Sequence, residues 1–161
     1  MRSRRGFTLI EVLIVIGIIA ILAGVVVVAI NPARQFALAR NSQRISNVNA
    51  ILNAMGQNMA DNKGMFTCAS VPIATQTYIG SASGEINLYA CIVPTYMPEL
   101  PFDPGNPTAS VFGTLVPHIT SATNYETGYK VSQDTSGRIT VCAPGAVENA
   151  IASSSAICVT R

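Results

Sequence analysis

The chain has 161 residues, of which 49% are hydrophobic and 11% are charged, and its formal net charge is +2. From Asp61 onward, four basic residues stand against seven acidic ones, so this part lacks the basic surface that nucleic-acid binding requires. Phosphate-loop, G-x-S-x-G and H-E-x-x-H sequences do not occur, and the single histidine, His118, has no metal-ligand spacing around it. We therefore expect neither an enzyme, nor a cofactor, nor a nucleic-acid partner.

An apolar run near the N-terminus predicts one membrane span. It extends from Val12 to Ile30 without a polar side chain, and a spanning helix needs about 20 apolar residues. Arg2, Arg4 and Arg5 precede the run, and cytoplasmic flanks favour arginine and lysine. The pattern predicts that the N-terminus stays in the cytoplasm while the rest of the chain is exported.

Glu11 lies at the start of this apolar segment, where a carboxylate is unusual. An ionisable side chain inside a membrane segment costs roughly 2.5–3.5 kcal/mol on insertion scales, and by default it marks a function. A cleaved signal peptide is a weaker interpretation, because its apolar core is typically about 7–15 residues long. A plain membrane anchor is the other interpretation, and it would not need Glu11.

The sequence Gly6-Phe7-Thr8-Leu9-Ile10-Glu11-Val12 resembles the start of the type IV prepilins, and the basic leader and apolar run extend this resemblance. It implies that the prepilin peptidase cuts between Gly6 and Phe7 and methylates the new amine. It also implies that Glu11 meets the N-terminal amine of a neighbouring subunit. The sequence agrees, because no lysine, arginine or histidine lies between Phe7 and Arg34 to pair with Glu11.

Small residues form a stripe on the predicted membrane helix. Gly17, Ala20 and Gly24 are spaced by three and four positions and therefore share one face. Such stripes let membrane helices approach closely, which predicts an assembly surface alongside Phe7 and Glu11. Because glycine is frequent in membrane helices anyway, the stripe supports assembly only together with Glu11.

A second helical segment begins near Asn31-Pro32, where proline either kinks the helix or starts a new one capped by Asn31. Good helix formers predominate from Ala33 to Ala60, and their apolar spacing predicts an amphipathic helix on a core. Asn62-Lys63-Gly64 predicts its end. The predicted apolar stripe consists of Ile45, Val48, Leu52, Met55 and Met59, with Arg40, Arg44, Asn47, Gln57 and Asn58 largely off it.

The remaining sequence predicts a β-rich head. Asp134-Thr135-Ser136-Gly137 predicts a hairpin turn, and Pro94 to Pro117, which holds six of the nine prolines, predicts a long structured loop. Strand patterns occur at Ile86 to Val93, Gly128 to Ser132, Arg138 to Ala143 and Ala156 to Thr160. The predicted class is α+β and type IV pilin-like, with a long N-terminal helix packed on a small antiparallel sheet. The predicted organisation is a leader at 1–6, a membrane and assembly helix at 7–31, an amphipathic helix at 32–62 and a head at 63–161.

The cysteines predict two disulfides in an oxidising compartment, and three pairings are open. Cys142 follows Val141, and Cys158 lies between apolar neighbours, so both face away from the apolar side of their strands. This orientation favours a disulfide between Cys142 and Cys158, which leaves Cys68 to pair with Cys91. All four lie beyond the predicted membrane span: Cys68, Cys91, Cys142 and Cys158.

A metal site is not expected in the head. The segment Leu100-Pro101-Phe102-Asp103-Pro104 resembles a loop of the major pseudopilins of type II secretion, in which nearby residues hold calcium. This chain lacks the tryptophan that is usual after that proline. Calcium takes six to eight oxygen ligands, and only Glu99 and Asp103 are acidic and close in sequence.

These features predict a structural subunit of a type IV pilus, a fibre that serves adhesion or motility. Its predicted partners are the prepilin peptidase, the pilus assembly machinery and further copies of itself in a helical filament. Before assembly it would be a single-pass protein of the cytoplasmic membrane. A pseudopilin of a type II secretion or DNA-uptake machine is one alternative, although two disulfides suit an exposed fibre better. A membrane-anchored extracytoplasmic binding domain that never polymerises is the other.

Overall fold

The computed structural model describes residues 6–105 and 123–161. The chain divides into two compact units, Met1–Phe36 and Ala37–Arg161. Helices and a four-stranded antiparallel sheet make up the regular structure of the described residues, which confirms the predicted α+β, pilin-like class. His118, and the part of the predicted proline-rich loop from residue 106 to Pro117, lie outside the described residues.

Two helices follow one another in the first part of the chain. α1 spans Leu9–Ile30 and α2 spans Pro32–Asp61. Asn31 lies between them in a left-handed conformation, with φ of 48°, which asparagine adopts more readily than most residues. The amide of Arg34 donates to Oδ1 of Asn31 at 3.4 Å, so Asn31 caps the start of α2. After α2, Gly64 takes a φ of 86°, which is the left-handed conformation common just after a helix.

The buried face of α2 is rotated by about one residue from the predicted stripe. Ile45 was expected in the core, yet 48% of its surface is exposed. Arg44 and Asn47 were expected on the solvent face and are buried instead, because both find hydrogen-bond partners in the head. The buried residues of α2 are Ala37, Arg44, Asn47, Val48, Ile51, Leu52, Ala54, Met55 and Asn58.

The sheet contains four strands in the order β1-β2-β3-β4, each antiparallel to its neighbour. Their bounds are Thr77–Gly80 for β1, Glu126–Gln133 for β2, Ile139–Ala143 for β3 and Ile157–Thr160 for β4. A short helix, α3, spans Tyr89–Ile92, and a 3-10 turn at Pro144–Ala146 follows β3. Asp134 closes the predicted β2–β3 hairpin, because its carboxylate accepts the amides of Ser136 and Arg138 at 2.8 and 2.9 Å.

Three strand predictions are confirmed as β2, β3 and β4, whereas the strand predicted at Ile86 to Val93 is wrong. Ile86 forms only an isolated bridge with Ile79, and helix α3 follows. The hydroxyl of Tyr125 accepts the amides of Leu88 and Tyr89 at 2.9 and 3.2 Å, so it satisfies donors at the start of α3. This partner is distant in sequence, and local pattern could not indicate it. Strand β1 was not predicted.

The head core lies between α2 and one face of the sheet. Val48, Ile51 and Met55 of α2 pack in one cluster with Val131 of β2 and Val141 of β3. Val131 and Val141 are direct cross-strand partners, and Val159 continues the row on β4. Alternate residues of a strand point to opposite faces, so this row and the apolar face of α2 enclose a continuous apolar layer.

Two disulfides tie the head together. One joins Cys68 to Cys91 and the other joins Cys142 to Cys158. The second pair are direct cross-strand partners on β3 and β4, so their side chains lie on the same face, as the strand phase predicted. Cys142 is buried nonetheless, and the amide nitrogen Nε2 of Gln76 lies 3.3 Å from its sulfur.

The pairing makes a direct prediction for peptide mapping. No lysine or arginine separates Cys68 from Cys91, or Cys142 from Cys158. Trypsin digestion of the unreduced protein should therefore release peptides 64–130 and 139–161 as separate species, each two hydrogens lighter than its reduced form. A crossed pairing would instead link the two peptides into one species. Four free thiols would contradict both the pairing and export to an oxidising compartment.

Candidate processing and assembly site

The N-terminal segment places the predicted processing residues just before a helix. Thr8 is the N-cap of α1, and its hydroxyl oxygen accepts the backbone amide of Glu11 at 3.3 Å. This capping bond stabilises the first turn. Gly6 and Phe7 precede the helix, and 83% of the surface of Phe7 is exposed. The Gly6–Phe7 bond therefore lies outside the helix between two exposed residues, where a peptidase could reach it.

Glu11 lies in the first turn of α1, where the helix dipole favours a negative charge. The hydrogen bond from its backbone amide to Thr8 is one of the two bonds of a capping box. In a full capping box the carboxylate would return to the amide of Thr8, but this bond is absent between these two described residues. Among residues 6–105 and 123–161, no ion pair involves the carboxylate of Glu11. Glu11 is exposed on the surface of α1.

Beyond Glu11, the surface of α1 is apolar on all sides. The window Leu9–Val27 has a mean hydropathy of 3.0 and is not buried within the protein. The small residues Gly17, Ala20 and Gly24 lie exposed on this helix, and nothing is within 4 Å of the side-chain position at either glycine. A helix that is apolar all round needs a membrane or other helices around it. The small stripe remains a predicted contact face.

Comparison with known protein families identifies this segment. Residues 1–27 match the prokaryotic N-terminal methylation motif. This is the type IV prepilin signature. No curated protein and no solved structure shows significant similarity to the chain.

The prepilin signature indicates a protein of the type IV pilin and pseudopilin kind. It implies processing by the prepilin peptidase and a connection to pilus assembly. Together with the apolar helix α1, it fits a protein anchored in the membrane by a single span. Proteins with this signature are structural subunits rather than enzymes.

The head contains a buried charge cluster that the sequence patterns did not indicate. Arg44 of α2 is 2% exposed, and its Nε and Nη2 donate to the two carboxylate oxygens of Asp103 at 2.8 and 2.7 Å. Asp103 is equally buried. A parallel two-bond pairing of this kind is the strongest geometry between arginine and a carboxylate. The pair joins the middle of α2 to the segment before residue 105.

Glu148 extends this cluster to the loop after β3. Its carboxylate accepts hydrogen bonds from Arg40 at 2.7 Å and from Arg44 at 2.6 Å. These bonds to Arg40 and Arg44 lower the pKa of Glu148 to about 2, so Glu148 stays ionised across the physiological range. Asn41 adds a bond from its amide to the carbonyl of Ala146 at 3.1 Å. One stretch of α2 therefore holds both loops.

Asn47 and Tyr129 complete the polar part of the core. The amide of Asn47 donates to the hydroxyl of Tyr129 at 2.9 Å and to the carbonyl of Phe102 at 3.1 Å. Burial raises the pKa of Tyr129 to about 12, so its hydroxyl stays protonated. A buried polar group costs free energy unless it is hydrogen-bonded, and this network meets that requirement for Asn47.

Two glycines leave room for the cluster. A side-chain carbon at Gly105 would collide with Nη2 of Arg44, and one at Gly145 would collide with Oδ2 of Asp103. Both oxygens of Asp103 are engaged by Arg44, and the amide of Gly105 also donates to Oδ1 at 2.7 Å. In the part of the chain that the structure describes, no group of three metal-ligating side chains occurs. Asp103 belongs to the segment that resembles a calcium-holding loop. In this structure its carboxylate is bonded to the guanidinium of Arg44.

Proposed function

We propose that the chain is a structural subunit of a type IV pilus, which the prepilin peptidase processes and the assembly machinery polymerises into a helical filament. Helices α1 from successive copies would bundle at the centre, with the heads outside. The observation that carries this proposal is the carboxylate of Glu11 on an otherwise apolar, exposed helix. A plain membrane anchor does not require that carboxylate, whereas in an assembly it can pair with a cation of a neighbouring subunit.

The proposed role of Glu11 is to set the axial register between subunits. Apolar contact drives helices together without fixing how far each is shifted along its neighbour. A charge buried in such a bundle is costly unless it is paired. Cleavage after Gly6 would create an α-amine on Phe7, and this amine on an adjacent copy is a partner of opposite charge. The stripe of Gly17, Ala20 and Gly24 would then let the paired helices approach closely.

The proposed topology follows from the charges and the cysteines. The leader arginines Arg2, Arg4 and Arg5 would keep the N-terminus in the cytoplasm. The two disulfides lie in the head and suit an oxidising compartment. The protein would therefore be a single-pass membrane protein before assembly and part of an extracellular fibre after it. The proposed segments are the leader at 1–6, the assembly helix at 7–31, the amphipathic helix at 32–62 and the head.

A pseudopilin shares the signature and remains the competing function. The direct test is to shear filaments from cells, image them by electron microscopy and identify their subunits by mass spectrometry. Long surface filaments built mainly of this chain support the pilus. Finding the chain in the membrane alone, with no surface filament under any growth condition, would contradict the pilus. A cut after Gly6 would then support the pseudopilin, and an uncut chain would support the anchored binding domain.

Processing gives a prediction with an exact mass. Removing residues 1–6 from 161 leaves 155 residues, and the mature chain should begin at a methylated Phe7. Gly6→Leu should block the cut, because the residue before the cleaved bond changes from the smallest side chain to a bulky one. Ser3→Leu, a similar change elsewhere in the leader, should leave it intact. Intact-mass analysis decides, and retention of Met1 or a cut beyond Ile30 in the native protein would contradict the pilin function.

A further inference from the structure

A second surface lies on the head, and its lining shares no residue with the buried charge cluster. It is a groove of about 610 Å³ at the C-terminal end of α2. Met59, Met65 and Phe66 form an apolar part of its lining, and Arg138 and Arg161 contribute two guanidinium groups. An apolar surface beside two cations fits a ligand group that is apolar and carries a carboxylate.

The two arginines are held in place by neighbours. Arg161 donates to the side-chain oxygens of Asn49, at 3.2 Å, and of Asn53. Amide oxygens are neutral, so among the described residues no carboxylate side chain balances the charge of Arg161. Arg138 is paired with Asp134 at 2.8 Å, and 66% of its side chain is exposed. The groove therefore presents one guanidinium, that of Arg161, whose side-chain partners are neutral, beside an Arg138 that is paired with Asp134.

The matching group is on the same head, in the turn at residues 96–99. The hydroxyl of Tyr96 donates to Asp61 at 3.0 Å, which fixes the turn against the end of α2. Pro98 and Glu99 are both exposed. Within the described part of the chain, the carboxylate of Glu99 makes no ion pair. The turn thus presents an apolar ring followed by a carboxylate.

The groove and the turn lie on different flanks of α2. Met59 lines the groove and Asp61 holds the turn. These residues are two positions apart, and an α-helix turns by about 100° per residue, so they lie about 200° apart around α2. A contact between one head's turn and another head's groove uses two different patches. Such a head-to-tail contact repeats without closing on itself when the rotation does not complete a ring.

We propose that the groove of one subunit receives the 96–99 turn of the next, with Glu99 facing Arg138 and Arg161. The partner is a second copy of this chain, and the proposal rests on the proposed function as a filament subunit. The contact would link neighbouring heads in the outer layer of the filament. Because it joins exposed charges, added salt should weaken it.

A carbodiimide cross-link tests the contact directly. Arg138→Lys keeps the charge and supplies an amine, which the reagent joins to a nearby carboxylate by an amide bond. Purified filaments of this variant should give dimers and higher ladders on a reducing denaturing gel, with the peptide containing Glu99 linked to the one containing position 138. The double variant R138K/E99Q is the matched control and should lose that ladder.

The outcomes of this experiment distinguish failure of the contact from failure of the filament function. Intact filaments without a ladder specific to R138K would overturn the contact while leaving the filament function standing. A link to another protein, or one confined to the monomer band, would overturn it as well. If the wild-type chain forms no filaments, the proposed function fails, and the contact fails with it.

Charge variants give a second measurement. Glu99→Gln should lower the filament-borne fraction about two- to fivefold, the range expected for an exposed ion pair. Ser83→Lys is an exposed substitution that changes the net charge by the same amount, and it should have no effect. The exchanged pair R161E/E99R, which leaves the Arg138–Asp134 ion pair intact, should restore most of the loss caused by either reversal alone. Equal losses in all these variants, without restoration, would contradict the contact.

Discussion

Replacing Glu11 by glutamine is expected to reduce filament yield by about tenfold or more. Glutamine keeps the shape and the hydrogen-bonding capacity of the side chain but removes its charge, so the α-amine of a neighbouring Phe7 would be left unpaired. Removing one partner from a buried ion pair typically costs about 3–5 kcal/mol, and about 1.4 kcal/mol corresponds to a factor of ten. The measured quantity is the ratio of filament-borne to membrane-borne subunit in wild type and variant.

Two controls separate register from folding and targeting. The capping bond at the start of α1 uses the backbone amide of Glu11, so Glu11→Gln should still form the helix, enter the membrane and be cut after Gly6. Glu11→Asp keeps the charge on a shorter side chain and should retain more filament than Glu11→Gln. An unchanged ratio in Glu11→Gln would show that Glu11 does not set the register, and the anchored binding domain would then gain support.

The N-terminal segment could be predicted from sequence because its signals are local. The apolar run and the Asn31-Pro32 pair lie within a few residues of the features they determine. Strands β2 to β4 were predicted for the same reason, since alternation of apolar and polar residues is visible within each strand. The methylation motif is itself a local pattern, and it covers residues 1–27.

The features that escaped prediction depend on partners far away in sequence. Helix α3 forms where a strand was expected, because the hydroxyl of Tyr125 satisfies its first amides. The face of α2 was assigned by apolar periodicity, which places an arginine outside by default. A carboxylate 59 positions later brings Arg44 inside, and nothing near Arg44 signals this. Asp103, one of two acids among the prolines of the segment after α3, was the only hint.

The buried cluster supports a second expected result, the loss of head stability in Arg44→Met. Methionine fills much of the volume of the arginine side chain but leaves the carboxylate of Asp103 without its partner in the core. Breaking a buried pair in this way costs about 3–5 kcal/mol, a large part of the stability of a small domain. Urea unfolding of the full-length protein in detergent, followed by tyrosine circular dichroism in the near ultraviolet, measures the change because all five tyrosines lie beyond residue 77.

Comparison of variants shows whether the cost comes from the unpaired charge or from lost packing. The double variant R44M/D103L removes both charges and should recover most of the lost free energy of unfolding, since replacing a whole buried pair by apolar groups is often neutral. Arg40→Met should cost much less, because Arg40 is partly exposed and Arg44 continues to hold Glu148. If the double variant were as unstable as Arg44→Met, the contribution of Arg44 would be one of packing, and the ion pair would not explain why α2 turns this arginine inward.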